Sequence, residues 1–524
     1  MSGQVTIKRA LVSVTDKTGV AEFARALAEE FSVEIVSTGG TYAAIAEAGV
    51  PVVRIDEVTD FPEMMDGRVK TLHPRIHGGL LARRDVDEHM DAAEEHGIGM
   101  IDLVVVNLYA FEDTVAREGV TFGEAIENID IGGPSMLRSA AKNHASVTVV
   151  TDPADYNVIL EEMRSNGGAT TLETRRRLAV DVFGLTSRYD GAINDYLMAN
   201  APGTDAAVGA SETRTVELEK VQDLRYGENP HQTASFYRTA GAGAHTLARA
   251  EQLQGKELSY NNILDTDAAW TGVRGFDEPT CVIVKHTNPC GIASRDDIAD
   301  AYTAAHRSDP ISAFGGVMAF NREVSGEVVR RILDNQQFVE VMIAPAFSGE
   351  ALELISTKPN TRVLATGGLS PIEGDELRSV DGGMLIQGAD RVDEDPETFT
   401  VPTKREPTAE ERDQLLFAWK CAKAVKSNAI VFVTDNETIG VGAGQMNRVN
   451  SARIAAEQAG ERAKGAVAAS DAFMPFADSL EVCAEAGVTA VIQPGGSIRD
   501  EEVIARADEL GVAMLFTATR HFRH

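Results

Sequence analysis

Lys285 and His286 stand side by side at the end of the apolar run Cys281-Val282-Ile283-Val284, and Thr287-Asn288-Pro289-Cys290-Gly291 follows at once. An imidazole titrates near pH ~6.5 and takes up a proton at neutral pH, while a neighbouring ammonium steadies a developing oxyanion. A β-branched strand closed by such a pair is expected to hold both groups at its carboxyl edge, where open α/β sheets bind ligands. Further groups with chemistry lie elsewhere. Arg68 and Lys70 in Gly67-Arg68-Val69-Lys70-Thr71-Leu72-His73-Pro74 are two residues apart, on one side of an extended segment. Ser37-Thr38-Gly39-Gly40-Thr41 falls between a strand and a helix, where glycines permit close backbone approach and free N–H groups face an anion. Asp130-Ile131-Gly132-Gly133-Pro134 opens a helix, with Pro134 suited to its first turn, and that helix carries Arg138 and Lys142. Arg225 beside Tyr226 joins a phosphate clamp to a stacking ring. Arg448 follows the glycine-rich Gly440–Gly444, read as a turn after a strand, and the chain ends Arg520-His521-Phe522-Arg523-His524.

The elements that must position these groups are legible as patterns. Leu11–Val14, Val33–Ser37, Leu103–Leu108 and Ser146–Thr151 read as strands, and Gly19–Phe31 and Thr41–Ala48 as helices. The alternation predicts a doubly wound parallel sheet over residues 1–199. Small and polar residues predict a linker over 200–214. Strands and helices alternate again over 215–524, as in Cys281–Val284, Ala429–Val433 and Thr489–Gln493, with helices over Asp413–Lys426 and Asn450–Gly465. The Gly-, Pro- and charge-rich stretch 336–407 is expected to join two lobes. No short-period repeat, coiled coil or low-complexity tract is evident.

Composition narrows the function classes. A net charge of −31 disfavours nucleic acid and anionic lipid as partners, and leaves any anionic substrate dependent on local clusters of Lys and Arg. No apolar run reaches the ~18 residues of a membrane span, and the N-terminus lacks a signal-peptide core. Four scattered cysteines fit neither a disulfide framework nor a CxxC metal knuckle. A cytoplasmic location is expected.

Taken in order, GRVKTLHP, Asn107-Leu108-Tyr109, Asp130-Ile131-Gly132-Gly133 and Ala140–His144 resemble the inosine monophosphate cyclohydrolase domain of the bifunctional purine biosynthesis family. Leu224–Gln232, the Lys285–Gly291 run, Ser427-Asn428, Gly442–Arg448, Ser470–Phe473 and the final Arg520-x-Phe522 resemble the same family's phosphoribosylaminoimidazolecarboxamide formyltransferase domain. The resemblance implies a methylglyoxal-synthase-like first domain, then a formyltransferase region of two cytidine-deaminase-like lobes. It implies that Lys70, Tyr109, Asp130 and Lys142 act in ring closure, with Thr15, Lys17, Thr38, Gly39, Gly40, Thr41, Arg68, Thr71, Asn107 and Gly132 lining the nucleotide site. For formyl transfer it implies His286 as general base and Lys285 as stabiliser of the tetrahedral intermediate. Arg225, Tyr226, Asn262, Gly315, Glu340, Asn428, Arg448, Phe473, Arg520 and Phe522 would contact nucleotide or folate, and Asp478 would support the folate side. The cosubstrate would be 10-formyltetrahydrofolate, with no metal in the chemistry; binding of a monovalent cation is left open. A homodimer with small-molecule nucleotide and folate ligands follows from the same resemblance.

Two positions depart from the family pattern. Leu185 stands where a His is usual, and Glu340 where some relatives carry Asp. Competing readings fare worse. A zinc nucleobase deaminase is suggested by Pro289-Cys290 but needs a His-x-Glu and a second Cys; Thr287-Asn288 follows His286, and residue 293 is Ala. The Gly440–Gly444 spacing misses the dinucleotide fingerprint. A degenerate relative that binds nucleotide without turnover is the remaining alternative of a different class.

Overall fold

The structure, a computed structural model, describes residues 3–62, 64–200, 214–372, 374–391 and 394–524, the side chain of Asp66 excepted. Most of the stretch expected as a linker, 201–213, lies outside the described residues. The chain forms two compact units, Met1–Thr215 and Val216–His524.

In the first unit five strands pair in parallel: β1 (Arg9–Ser13), β2 (Glu34–Ser37), β3 (Val53–Arg54), β4 (Leu103–Val106) and β5 (Thr148–Val150). Their order is β3-β2-β1-β4-β5. All four side chains of β4 are buried, because the helices that connect parallel strands cover both sheet faces. α1 (Val20–Phe31) presents Phe23, Ala24 and Leu27 to the sheet from one stripe, a spacing only a helix puts on one side. The helices that matter most below are α2 (Gly39–Glu47), α3 (Pro74–Leu81), α4 (Gly132–Lys142) and α5 (Leu172–Asn200). The chain reverses its winding between β1 and β4. Ligand crevices open at that switch, outside the strands' carboxyl ends.

The second unit is built on one mixed sheet of eleven strands. Edge strand β6 (Glu251–Gln254) and helix α6 (Tyr260–Val273) precede β7 (Thr280–Lys285), β8 (Asn288–Ser294), helix α7 (Ile298–Ser308), β9 (Gly316–Phe320), β10 (Val339–Ala344) and β11 (Arg362–Ala365). Helix α8 (Ala409–Lys423) then leads into β12 (Ile430–Thr434), β13 (Glu437–Gly442), helix α9 (Arg448–Ala459), β14 (Val467–Ser470), β15 (Ala490–Gln493) and β16 (Ala513–Phe516). The order is β6-β11-β10-β9-β7-β8-β13-β12-β14-β15-β16. Each lobe is therefore a hairpin followed by three strands running parallel to one another, and β8 meets β13 at the lobe boundary. Equivalent glycines mark the repeat. A Cβ on Gly291 would strike the carbonyl of Ala305 on α7, and one on Gly440 that of Ala455 on α9.

Two sequence expectations change here. Gly440 and Gly442 lie inside β13 rather than in a turn, and their lack of side chains lets α9 sit close on the strand. The stretch 336–407 is only partly a connection, since β10 and β11 complete the first lobe's sheet; the link between lobes begins after Ala365. Among the described residues no helix is long and apolar enough to cross a membrane.

Candidate functional sites

Three loops meet at the carboxyl edge of the first unit's sheet. Asn107, one residue past β4, braces the loop after β1: its Oδ1 accepts from the N–H groups of Thr15 (2.6 Å) and Asp16 (3.0 Å), and its Nδ2 donates to the Asp16 carbonyl (3.1 Å). The loop after β2 is tied to the same strand end. Ser13 and Thr38 hydroxyls share a hydrogen bond of 2.8 Å, and Thr41 Oγ1 bonds both N–H and carbonyl of Val14. Several hydroxyls expected to line a ligand thus also join loop to loop.

These braces fix a basic corner. Gly39 has φ +43°, and a Cβ there would lie 3.4 Å from Lys70 Nζ; one on Gly40 would lie 3.8 Å from Lys17 Nζ. Two ammonium groups stand beside the free N–H groups at the start of α2, where the helix dipole is itself positive. Like faces like there, so the corner suits an anion such as phosphate. An adjoining cavity of about 60 Å³ is lined by Thr38, Gly39 and Lys70 together with Tyr42, Arg54, Phe61 and His73. It is far below the ~300 Å³ of a usual ligand cleft, so only part of a ligand could enter it. No sequence motif assigns a role to Tyr42, Arg54 or Phe61, and His73 stands in the GRVKTLHP motif without one. Arg54 closes β3 at the same sheet edge, which was the available signal.

Asp130 and Tyr109 adjoin this corner. Burial lifts the Asp130 carboxyl above its ordinary pKa, opposed by the N–H groups of Gly133 and Tyr109 and by the charge of Lys70. Burial, and then the Asp130 charge, likewise raise the Tyr109 phenol. Asp130 Oδ1 accepts from Gly133 N–H at 2.8 Å, and Tyr189 Oη on α5 accepts from Asp130 N–H at 2.7 Å. A Cβ on Gly132 would come within 2.5 Å of Thr71 Oγ1, so a side chain there would require Thr71 to shift. Leu185, in place of the usual His, packs against the apolar core. The two remaining expected residues stand exposed. Arg68 is exposed and ion-paired with exposed Glu127. Lys142 is exposed at the last position of α4, about 15 Å along the axis from Gly132 at 1.5 Å per residue.

In the second unit, Lys285 and His286 do sit where a strand ends, but the geometry is a hairpin rather than a strand-to-helix loop. Lys285 pairs with Asn288 across β7 and β8, leaving His286 and Thr287 as a two-residue turn. Their φ angles are 51° and 62°. A turn with both central residues left-handed is type I′, ordinarily the preserve of Asn and Gly. For His, and more so for β-branched Thr, it is held only by surrounding structure. Asp265 on α6 supplies that hold, accepting from Thr287 N–H at 2.7 Å. Lys285 Nζ donates to the carbonyls of Gly315 (2.7 Å) and Phe314 (3.2 Å), while His286 is exposed. Gly315 has φ +69°, and a Cβ there would lie 3.1 Å from Lys285 Nζ.

The other expected residues of this unit fall into two groups. Lys426-Ser427-Asn428 is a hub. Lys426 N–H donates to Asn288 Oδ1 (3.1 Å), Ser427 N–H donates to the Arg523 carbonyl (2.8 Å), and Asn428 Nδ2 donates to the Gln445 carbonyl (2.8 Å). Ser427 Oγ donates to Asp471, whose other oxygen pairs with Arg448 at 2.8 Å in the interior. Arg448 Nε in turn donates to the Phe473 carbonyl (3.3 Å), leaving the Phe473 ring exposed. Burial pulls the Arg448 guanidinium pKa down, against the Asp471 charge. Arg520 stacks on Phe522 at 4.6 Å, and Arg225 on Tyr226 at 5.8 Å. A second group is occupied locally. Asn262 completes the capping box of α6 with Ser259, Glu340 pairs with Arg362 at 3.0 Å, and exposed Asp478 starts a helix and accepts from Ser479 N–H. No sequence motif marks Asp265, and Asp471 stands within Ser470–Phe473 without an expected role.

Cys290 is buried within β8, and burial pushes its thiol up to about 12. All four cysteines are buried and unpaired. Among the described residues no group of three or more His, Cys, Asp or Glu is arranged to hold a metal ion.

Comparison with known proteins gives a match to the MGS-like domain over residues 19–135 and to the AICARFT/IMPCHase bienzyme over residues 140–458. A solved structure titled "Crystal structure of ForH" is 33% identical, over 36% of this chain and 98% of that one, with a TM-score of 0.34. With more than half of its length under the bienzyme match, this chain belongs to the AICARFT/IMPCHase bienzyme family.

Proposed function

We propose that this chain performs the last two steps of de novo purine biosynthesis: formyl transfer from 10-formyltetrahydrofolate to 5-aminoimidazole-4-carboxamide ribonucleotide, then dehydrative closure to inosine monophosphate. The observation that carries the reading is the Lys285–His286 hairpin, a strained turn that presents an exposed imidazole beside an anchored ammonium. Residues held in such strained conformations cluster at functional sites.

In the second unit the 5-amino group attacks the formyl carbon. His286 takes the amine proton, the Lys285 ammonium faces the oxygen as it becomes anionic, and collapse expels the folate nitrogen, which receives the proton back from His286. In the first unit Lys17 and the start of α2 hold the phosphate end, and the Lys70 ammonium faces the formyl oxygen as it becomes anionic. The carboxamide nitrogen then attacks the formyl carbon, and the carbonyl oxygen leaves as water. Holding nitrogen against carbon supplies about 7–11 kcal/mol of such a barrier, and one cation at the oxyanion roughly 3–4 kcal/mol. Tyr109 and Asp130 pass to the departing oxygen the two protons it leaves with, one from the carboxamide nitrogen and one from the formamido nitrogen, and the charge interaction of Asp130 with Lys70 orients the ammonium.

The cosubstrate is the formylfolate, and the partners are small molecules rather than nucleic acid or membrane, consistent with the charge of −31. Pairing with a second copy of the chain is supported by exposed Ile311, Phe314, Phe338 and Met446, and the reducing cytoplasm by four free thiols. The test is a coupled assay. The chain, the imidazole nucleotide and 10-formyltetrahydrofolate should yield inosinate absorbance, and a folded chain that yields none refutes the reading.

A further inference from the structure

His521 is the one buried residue of the segment 520–524. Arg520 and Phe522 on either side are exposed, while the His521 ring is 2% exposed. Its Nδ1 lies 2.6 Å from Asp390 Oδ2 and its Nε2 2.9 Å from Glu394 Oε1. The Trp419 ring, on α8, packs at 5.1 Å, and Trp419 Nε1 donates to the same Glu394 oxygen at 3.2 Å. Lys423, one turn further along α8, pairs with Asp390 at 3.3 Å. The His521 N–H donates to the Asp471 carbonyl at 3.0 Å.

A carboxylate only accepts hydrogen bonds, and a neutral imidazole donates from one nitrogen alone. Both ring nitrogens here face carboxylates, so the geometry is satisfied only by imidazolium. Two carboxylates then balance the imidazolium and Lys423. Loss of the proton would set a nitrogen lone pair against a carboxylate oxygen in a buried site, an unpaired arrangement that buried polar groups resist. We infer that His521 is a positioning residue: as imidazolium it clasps the carboxyl-terminal tail to the inter-lobe connection and α8, and so sets Arg520 and Phe522 in place for formyl transfer. This rests on the function proposed above.

The pH direction follows. Burial opposes charge on His521, but the hydrogen bonds and charges of Glu394 and Asp390 outweigh it and place its pKa above the ordinary value. A raised folded pKa gives a clasp complete below the unfolded value near ~6.5 and lost as pH rises through the folded value. Formyl transfer should therefore carry an alkaline limb that cyclisation lacks.

The experiment compares the full chain with His521→Gln, which keeps one donor and no charge. At pH 7 the KM for the imidazole nucleotide should rise roughly tenfold, the worth of one charge-assisted hydrogen bond, with kcat changed less. The alkaline limb should vanish, and cyclisation of supplied formylated nucleotide should be unchanged. Independently, imidazolium quenches a neighbouring indole, so tryptophan emission of the native chain should rise with pH through a transition missing from His521→Gln. Native KM and a native alkaline limb in His521→Gln overturn the inference, as does a native chain without the emission transition. A native chain unable to transfer formyl at any pH instead overturns the functional reading, and the positioning role with it.

Discussion

Asp265 never touches substrate in the proposed mechanism, yet its removal should disable formyl transfer. Two non-glycine residues in the left-handed region cost about 1–2 kcal/mol each, so the His286–Thr287 turn carries roughly 2–4 kcal/mol of strain. The 2.7 Å hydrogen bond from Thr287 N–H to the Asp265 carboxylate is worth about 1.5–3 kcal/mol, which offsets most of it. Asp265→Ala should let the turn relax and carry His286 out of line with Lys285, whose own anchors at Gly315 and Phe314 remain. The expected loss in formyl-transfer kcat/KM is roughly 10- to 100-fold, the kinetic equivalent of that bond. Asp265→Asn keeps an accepting oxygen and should lose only a few-fold. Adding Thr287→Gly to Asp265→Ala removes the Cβ penalty and should recover part of the loss. The assay is formyl transfer at saturating formylfolate, with cyclisation of supplied formylated nucleotide run alongside. A native rate in Asp265→Ala, or no recovery on adding Thr287→Gly, would refute the argument that strain in this turn is held by Asp265.

Further outcomes are expected in the first unit. Lys70→Ala should abolish cyclisation and leave formyl transfer intact; equal loss of both in a folded variant contradicts the assignment. Asp130→Asn should lose cyclisation while gaining thermal stability at neutral pH, because burial raises the folded carboxyl pKa and ionisation therefore costs stability. The gain should shrink as pH falls through the raised folded value and be gone below the unfolded value of ~3.9, which thermal unfolding across that range would check. Gly39→Ala meets an ordinary contact at Lys70 Nζ but a left-handed backbone costing about 1 kcal/mol or more, so the KM for formylated nucleotide should rise several-fold with kcat less affected.

What the residues announced, and what they hid, divides by the range of the forces involved. The parallel sheet of the first unit was legible because Leu103–Val106 and its neighbours carry β-branched side chains buried on both faces, a purely local pattern. The corner at Gly39, Gly40 and Lys70 was legible as motif, and the structure adds that Asn107 and Thr41 work as braces. The hairpin at His286–Thr287 was not legible, since no Asn-Gly or Asp-Gly marks it and the residue that permits it, Asp265, lies twenty-two positions upstream on another element. Gly440 and Gly442 read as a turn because glycine is ambiguous between flexibility and close packing; only the approach of α9 decides. The repeat of the two lobes, the buried Arg448–Asp471 pair and the support of Asp130 by Tyr189 all depend on contacts between distant segments. Lys142 shows the converse. The resemblance groups it with Lys70, and the structure sets it exposed at the last position of α4.

The proposed function requires two chemistries kept in two places, and a complementation assay separates them. Lys70→Ala and His286→Ala are each supplied with the imidazole nucleotide and 10-formyltetrahydrofolate, alone and mixed. Lys70→Ala alone should accumulate formylated nucleotide, His286→Ala alone should make nothing from these substrates yet cyclise formylated nucleotide when it is supplied, and the mixture should produce inosinate. Two folded variants that each lose both reactions, or a mixture that yields no inosinate, would contradict it.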